Sequence, residues 1–245
     1  MRNLLVLTLI GGLVGSMLGC AAGSSSGSSA TGLAERPVAD VERDVGRKPD
    51  AVLDFLGVEA GMTVMDVMAA SGYYTEVLAN RVGMTGTVFA QNPALMLRYG
   101  NGRNDRALTD RLAGNRLPNV RRLDREFDDL GLVAGSVDAV ITALNFHDIY
   151  NNSPQAAQGV LMALSGVLKS GGVIGIIDHV GNAGADNKAL HRIDPALVIA
   201  AAEAAGFSVV RSDVLVNPED DHSQSPFAEG LRGNTDRFVL RLTKS

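Results

Sequence analysis

The sequence predicts an open, mostly parallel α/β sheet with helices on both faces, and three observations carry that expectation. From Pro49 onward, short runs rich in valine and isoleucine alternate with longer amphipathic segments. Several runs are apolar almost without interruption, as in Val173-Ile174-Gly175-Ile176-Ile177, which is what a strand covered on both faces requires. Serine, proline and glycine fall at the junctions.

A helix is expected over Asp50–Leu56, and the first strand over Thr63–Val67. A helix at Tyr74–Val82 and a strand at Gly86–Gln91 follow, then a helix at Asp105–Ala113 and a strand at Asn119–Leu123. The apolar run Val137–Ala143 is the fourth strand. Pro154–Leu168 reads as a helix because Ser153 can cap it, proline suits its first turn, and Gly171-Gly172 can end it before the fifth strand, Val173–Asp178. The last helix, Pro195–Ala205, is stopped by Gly206, and strands at Phe207–Leu215 and Arg237–Leu242 complete the set. In such a sheet the ligand crevice lies beyond the carboxyl ends of the strands.

Composition narrows the function. With 46% hydrophobic and 20% charged residues, the 245-residue chain is too apolar for disorder, and it shows no collagen or heptad period. A net charge of -5 offers no general attraction to nucleic acid or anionic lipid, so neither is an expected partner on that ground. One cysteine excludes an internal disulfide framework and a multi-cysteine zinc site.

The position of that cysteine is informative. Arg2 precedes an apolar run from Leu4 to Leu18 that ends at Gly19-Cys20, too short to cross a bilayer comfortably, and a Ser/Gly-rich stretch follows. Met17-Leu18-Gly19-Cys20 resembles the lipobox of bacterial lipoproteins, in which the cysteine is acylated, although leucine is usual where Met17 stands. Residues 1–20 are therefore expected to be a signal peptide, 21–44 a flexible tether and lead-in, and 45–245 the folded domain, exported to the cell envelope and lipid-anchored at Cys20. An ordinary secretory signal or an uncleaved anchor is the alternative.

The first strand-to-helix junction, Val64-Met65-Asp66-Val67-Met68-Ala69-Ala70-Ser71-Gly72, is built mainly from small residues, which let backbone N–H groups and a helix N-terminus approach a ligand. Gly61-Met62-Thr63-Val64-Met65-Asp66, Gly72-Tyr73-Tyr74-Thr75-Glu76 and Leu168-Lys169-Ser170-Gly171-Gly172 together resemble class I S-adenosylmethionine-dependent methyltransferases over roughly residues 45 to 242. More narrowly, Leu144-Asn145-Phe146-His147-Asp148-Ile149-Tyr150, Asp178-His179, His191-Arg192-Ile193-Asp194-Pro195 and Thr235-Asp236-Arg237-Phe238 resemble a bacterial family of exported, uncharacterised methyltransferases.

The resemblance implies a Rossmann-like sheet of seven strands, the last antiparallel, and S-adenosylmethionine as cofactor. It places Asp66, Met68, Ala70, Gly72 and Tyr73 against the methionine half, Gln91 and Asn92 against the ribose, Asp124 near the adenine, and Asn145 beside them. Two departures stand out. Met68 and Ala70 replace the first two glycines of the family's turn, and an amide stands where a carboxylate usually grips the ribose hydroxyls more strongly. The leader also sends the chain away from the compartment in which S-adenosylmethionine is made.

His147 follows the fourth strand, His179 the fifth, and His191 the loop after it, so these three with Asp148 and Asp178 can converge on one pocket. His147, Asp148, His179 and His191 are the candidate catalytic residues. One histidine would take a proton from a substrate hydroxyl or amine while a carboxylate orients it; the alternative is that they hydrogen-bond loop backbones. Two histidines and a carboxylate are also chemically able to hold a divalent metal, but no compact His-x-x-x-His motif is present and no metal site is assigned.

Blander roles are expected elsewhere. Asp138 is read as structural, Asn119 to Glu126 as a solvated strand edge, Asp236-Arg237 as an ion pair, and Asp220-Asp221 as a loop, either lid or solvated. Of Tyr73 and Tyr74, one is expected to line the pocket and the other to pack on the sheet. Function is thus read as methylation of a small molecule. A non-catalytic ligand-binding lipoprotein with a degenerate methyltransferase fold is the alternative, and a metal-assisted hydrolase built on the histidines a weaker one.

Overall fold

Alternation with a period of two decides which side chains face which helices. In β1 (Thr63–Val67), Val64 packs to one side with α2 (Pro49–Leu56) and α3 (Tyr73–Val82), while Met65 and Val67 pack to the other. β4 (Val137–Ala143) divides in the same way: Ala139 and Ile141 face α2 and α3, and Val140 faces α6 (Pro154–Val167) and α8 (Pro195–Ala204). Each large apolar side chain buried in these layers contributes about 1.5–3 kcal/mol. Gly175, in the middle of β5 (Leu168–His179), is small because a Cβ there would stand 2.4 Å from Leu56 of α2.

The computed structural model describes residues 33–244. With β2 (Thr87–Gln91), β3 (Val120–Leu123), β6 (Phe207–Ser212) and β7 (Arg237–Lys244), the strands form one sheet in the order β3-β2-β1-β4-β5-β7-β6, parallel except for β7. This is the predicted Rossmann-like arrangement with an antiparallel last strand. Strand order reverses between β1 and β4, and there Val67 pairs with both Gln91 and Thr142, so three strands end level. Asp138 is structural as expected: it accepts from Thr63 N (2.9 Å) and pairs with Lys169 (2.6 Å). Ser153 caps α6 by accepting from Ala156 N at 3.1 Å, and Gly206 takes a φ of 86° after α8.

Several boundaries differ from expectation. β5 begins at Leu168, so Gly171, at φ 73°, lies inside the strand instead of ending the helix. α4 (Ala94–Leu112) starts earlier than Asp105 and is interrupted at Tyr99–Gly102, and β6 stops at Ser212. Three helices were not foreseen: α1 (Val38–Arg47), α5 (Phe146–Asn152) and α7 (Asn187–Leu190). α1 corrects the lead-in, since part of 21–44 is helix, held by Arg36–Asp44 (2.5 Å) and Asp40–Arg111 (2.6 Å), with Leu33 buried before it. The expected signal peptide, Cys20 and the Ser/Gly stretch lie outside the described residues. Among the described residues no helix is long and apolar enough to cross a membrane.

Candidate functional site

Where β1 ends, the chain makes a tight left-handed turn. Met68, Ala70 and Gly72 have φ of 51°, 50° and 84°, so the backbone keeps a glycine-like conformation at two positions that carry side chains. Each such non-glycine residue costs about 1–2 kcal/mol. The surrounding hydrogen bonds hold it in place: Met68 N donates to Gln91 Oε1 (3.1 Å), Ala69 N to Gln91 O (2.9 Å), Ala70 N to Asn92 Oδ1 (2.8 Å) and Gly72 N to Ala69 O (2.8 Å). Asn145, the N-cap of α5, donates to Met68 O (3.3 Å) and Ala143 O (2.9 Å). Gln91 and Asn92 are fully buried; Gln91 Nε2 donates to Arg125 O at 2.7 Å, whereas Asn92 Nδ2 has no partner among the described residues.

The other residues expected at a cofactor are committed elsewhere. Asp66 is buried and accepts from Thr75 Oγ1 at 2.6 Å; burial, outweighing that bond and the charges of Arg47 and Arg111, pushes its carboxyl up to about 7. Tyr73 and Tyr74 are both buried, meeting edge to face at 5.2 Å, and Tyr73 Oη donates to Asp44 of α1 at 2.5 Å. Asp124 is exposed and pairs with Arg122 at 2.9 Å on edge strand β3, in keeping with the solvated-edge reading of that segment.

One arginine ties these parts together. Arg111 of α4 donates to Ser71 O (2.8 Å) in the turn, pairs with Asp40 of α1 (2.6 Å), and reaches the fully buried Glu76 of α3, which Arg116 also contacts. α1 is thereby clamped over the carboxyl ends of the strands. Beneath it lies a cavity of about 980 Å³ lined by Ser71, Leu144, His179, Thr235 and Phe227, with Arg43, Arg47, Arg103, Arg232 and Arg237 against a single acid, Glu42. The buried Arg237 donates to Gly46 O (2.6 Å), and among the described residues neither it nor Arg47 has a carboxylate within ion-pair reach. Burial lowers the pKa of both. The expected Asp236–Arg237 pair is not formed: Asp236 instead meets His222 Nε2 at 2.9 Å.

Beside the cavity the histidines converge. His147, in the first turn of α5, has Nδ1 2.7 Å from Asp178 Oδ1, and its backbone N donates to Asp178 Oδ2 at 2.8 Å. Asp178 is fully buried at the end of β5 and also accepts from His179 N (2.8 Å). Burial works against both charges, yet the pair's mutual attraction holds the imidazole pKa up and the carboxyl pKa down. His147 Nε2 lies 3.3 Å from Asp148 Oδ1, and His191 Nδ1 lies 3.4 Å from the same oxygen. His179 Nδ1 is 2.8 Å from Thr235 Oγ1; burial, reinforced by the charges of His147, Arg237 and Arg192, outweighs the pull of Asp178 and pushes its pKa down to about 3. All four candidate catalytic residues are therefore neighbours.

Arg47 carries no signal in the sequence, and Arg237, expected to pair with Asp236, instead joins Arg47 in lining the cavity. Asp220, read as lid or solvated loop, forms a buried bidentate pair with the fully buried Arg192 at 2.9 and 3.0 Å. A basic residue directly after His191, with two acids some thirty positions on, was the only available signal.

No protein-family profile and no curated protein matches the chain. Solved structures do: an S-adenosylmethionine-dependent methyltransferase from Aquifex aeolicus (23% identity, TM-score 0.59, 80% of this chain and 89% of that one), a putative methyltransferase from Haloferax volcanii in complex with its Trm112 activator (18%, 0.56, 83% and 94%), and the [4+2]-cyclase SpnF (16%, 0.60, 81% and 80%). At these identities the likeness establishes the fold: the chain has the Rossmann-like fold of the class I methyltransferases.

Proposed function

We propose that the chain is an S-adenosylmethionine-dependent methyltransferase acting on a small molecule, exported and lipid-anchored through Cys20. The observation that carries the enzymatic reading is the turn Met68–Gly72, kept left-handed at the sheet's switch point although two of its residues are not glycine. Strain of that kind persists where the structure around it over-determines the backbone, and it clusters at ligand sites. Export and lipidation rest on the leader sequence alone.

The residues fit an adenosyl cofactor at one point above all. Asn92 Nδ2 is a buried donor without a partner among the described residues, at the end of β2 where the resemblance places the ribose, and a hydroxyl there would satisfy it. Gln91, Asn145 and the turn would hold the nucleoside, and in the adjoining cavity, which touches the turn at Ser71, Arg47 and Arg237 would meet a carboxylate. When bound, S-adenosylmethionine supplies an electrophilic methyl group.

The chain's own residues supply position and proton handling. Methyl transfer is an in-line displacement in which alignment carries most of the rate. His179, neutral near pH 7 and lining the cavity, can hydrogen-bond an acceptor hydroxyl. His147, oriented by Asp178 through Nδ1, is placed to take the proton.

The fold alone does not choose this reaction, since SpnF, a cyclase by name, shares it. One observation favours a non-catalytic binder: Gln91 and Asn92 side chains occupy the N–H groups of Met68 and Ala70, which a ligand would otherwise use. Incubating the full chain with methyl-labelled S-adenosylmethionine and a panel of small hydroxylated and amino acceptors separates the two. Label transfer that is lost in His147→Ala is expected; binding without any transfer favours the binder.

A further inference from the structure

The geometry points to a divalent-cation site formed by His147 Nε2, Asp148 and His191 Nδ1. These donor atoms all lie within 4.8 Å of one another. The carboxylate oxygen of Asp148 is 3.3 Å from one nitrogen and 3.4 Å from the other. With metal–ligand bonds of about 2.0–2.1 Å, two corners of a tetrahedron stand about 3.4 Å apart, so both edges already have the length that a shared cation would impose.

Two features outside the triad orient it. His147 offers Nε2 because its other nitrogen is engaged by Asp178, a fully buried carboxylate, which is how metal-binding histidines are commonly fixed. His191 has a left-handed φ of 51° where α7 ends, its N–H donates to Lys188 O at 3.3 Å, and its ring meets Phe227 edge-on at 5.3 Å. The donors come from the start of α5 and from the residue that closes α7, segments already held together where Asn151 Nδ2 donates to Arg192 O at 2.8 Å and Ile193 N to His179 O at 3.0 Å, so a cation would find its ligands in place. Asp148 and His191 are about half exposed, which leaves an entry path and room for a fourth ligand from solvent or substrate.

Two imidazoles and one carboxylate suit a zinc-class ion, and the incomplete set matches catalytic sites, which keep a position open. A cation there would take over the lone pair of His147 and would itself lower the pKa of a bound water or substrate hydroxyl. The site stands independently of the adenosyl cofactor.

The test is titration of Zn²⁺ into the full chain after chelator treatment, by calorimetry, with Co²⁺ absorption as a second reading of geometry. One equivalent bound per chain, with at least tenfold weaker binding in Asp148→Asn and in His191→Ala, is the expected result. Both residues are partly exposed, so the variants should keep the wild-type circular dichroism; should either not, the visible spectrum of Co²⁺ in the wild-type chain decides, a tetrahedral nitrogen–oxygen spectrum supporting the site and its absence overturning it. No saturable binding, or equal affinity in folded variants, would also overturn it.

Discussion

The two halves of the crevice are built on opposite terms. On the β1–β2 side the polar groups of the turn are turned inward, the N–H groups of residues 68, 69, 70 and 72 all being bonded to Gln91, Asn92 or the turn itself. On the β4–β5 side the reverse holds: one buried carboxylate anchors a histidine from behind and leaves three donor atoms facing each other. The first half keeps the shape of a nucleotide turn with little free hydrogen-bonding capacity beyond Asn92 Nδ2. The second keeps its chemistry open. This difference suggests a chain whose reactive groups lie at the histidines, with loose hold on whatever occupies the turn.

Four substitutions put that contrast to the test. The largest effect belongs to Asp178→Ala, which strands three buried donors on the histidine side; a loss of about 3–5 kcal/mol in urea unfolding is expected, as when one partner of a buried pair is removed. A loss below about 1 kcal/mol would mean that this half is not organised by Asp178. Next is Asp66→Asn. The Asp66 carboxyl is raised in the folded state to about 7, so the stability it contributes is fully present below its unfolded pKa of about 3.9 and is lost as pH rises through 7. Unfolding followed at pH 5 and pH 8 should show the variant gaining about 2–3 kcal/mol on the wild type between the two. A difference independent of pH would place Asp66 in a more polar setting than its burial indicates.

Smaller effects test the turn directly. Met68→Gly and Ala70→Gly should each relieve left-handed strain, raising the thermal midpoint by an amount worth up to about 1 kcal/mol after the greater freedom of glycine in the unfolded chain is deducted. Affinity for S-adenosylhomocysteine should stay within about threefold, because Gln91 and Asn92 still hold the N–H groups in both variants. A tenfold gain, about 1.4 kcal/mol, would show that side-chain bulk is what keeps ligand out.

The strands were legible because burial on both faces forces apolar runs, and the crevice because strand ends converge wherever the sheet reverses. α1 was not: Val-Ala-Asp-Val-Glu-Arg-Asp-Val-Gly-Arg is half charged, and its place depends on Arg111 and Tyr73, far along the chain. α5 was hidden by its seven residues, too few for a period to show. His147 and His179 could be placed at strand ends, and His191 in the loop that follows, by position alone, and these three meet; His222 stands apart on Asp236. The cofactor residues fared differently. Replacement of two glycines was visible, but that Gln91 and Asn92 reach back across 23 and 22 positions to fill the turn was not, since nothing local in an amide states what it will bond.

Calorimetric titration of S-adenosylmethionine and S-adenosylhomocysteine into the full chain and into Asn92→Ala shows whether the end of β2 holds an adenosyl ligand. One ligand per chain is expected, bound roughly tenfold more weakly when the amide of Asn92 is removed, as the loss of one buried hydrogen bond of about 1–1.5 kcal/mol implies. No binding at millimolar ligand by a folded wild-type chain would contradict that expectation.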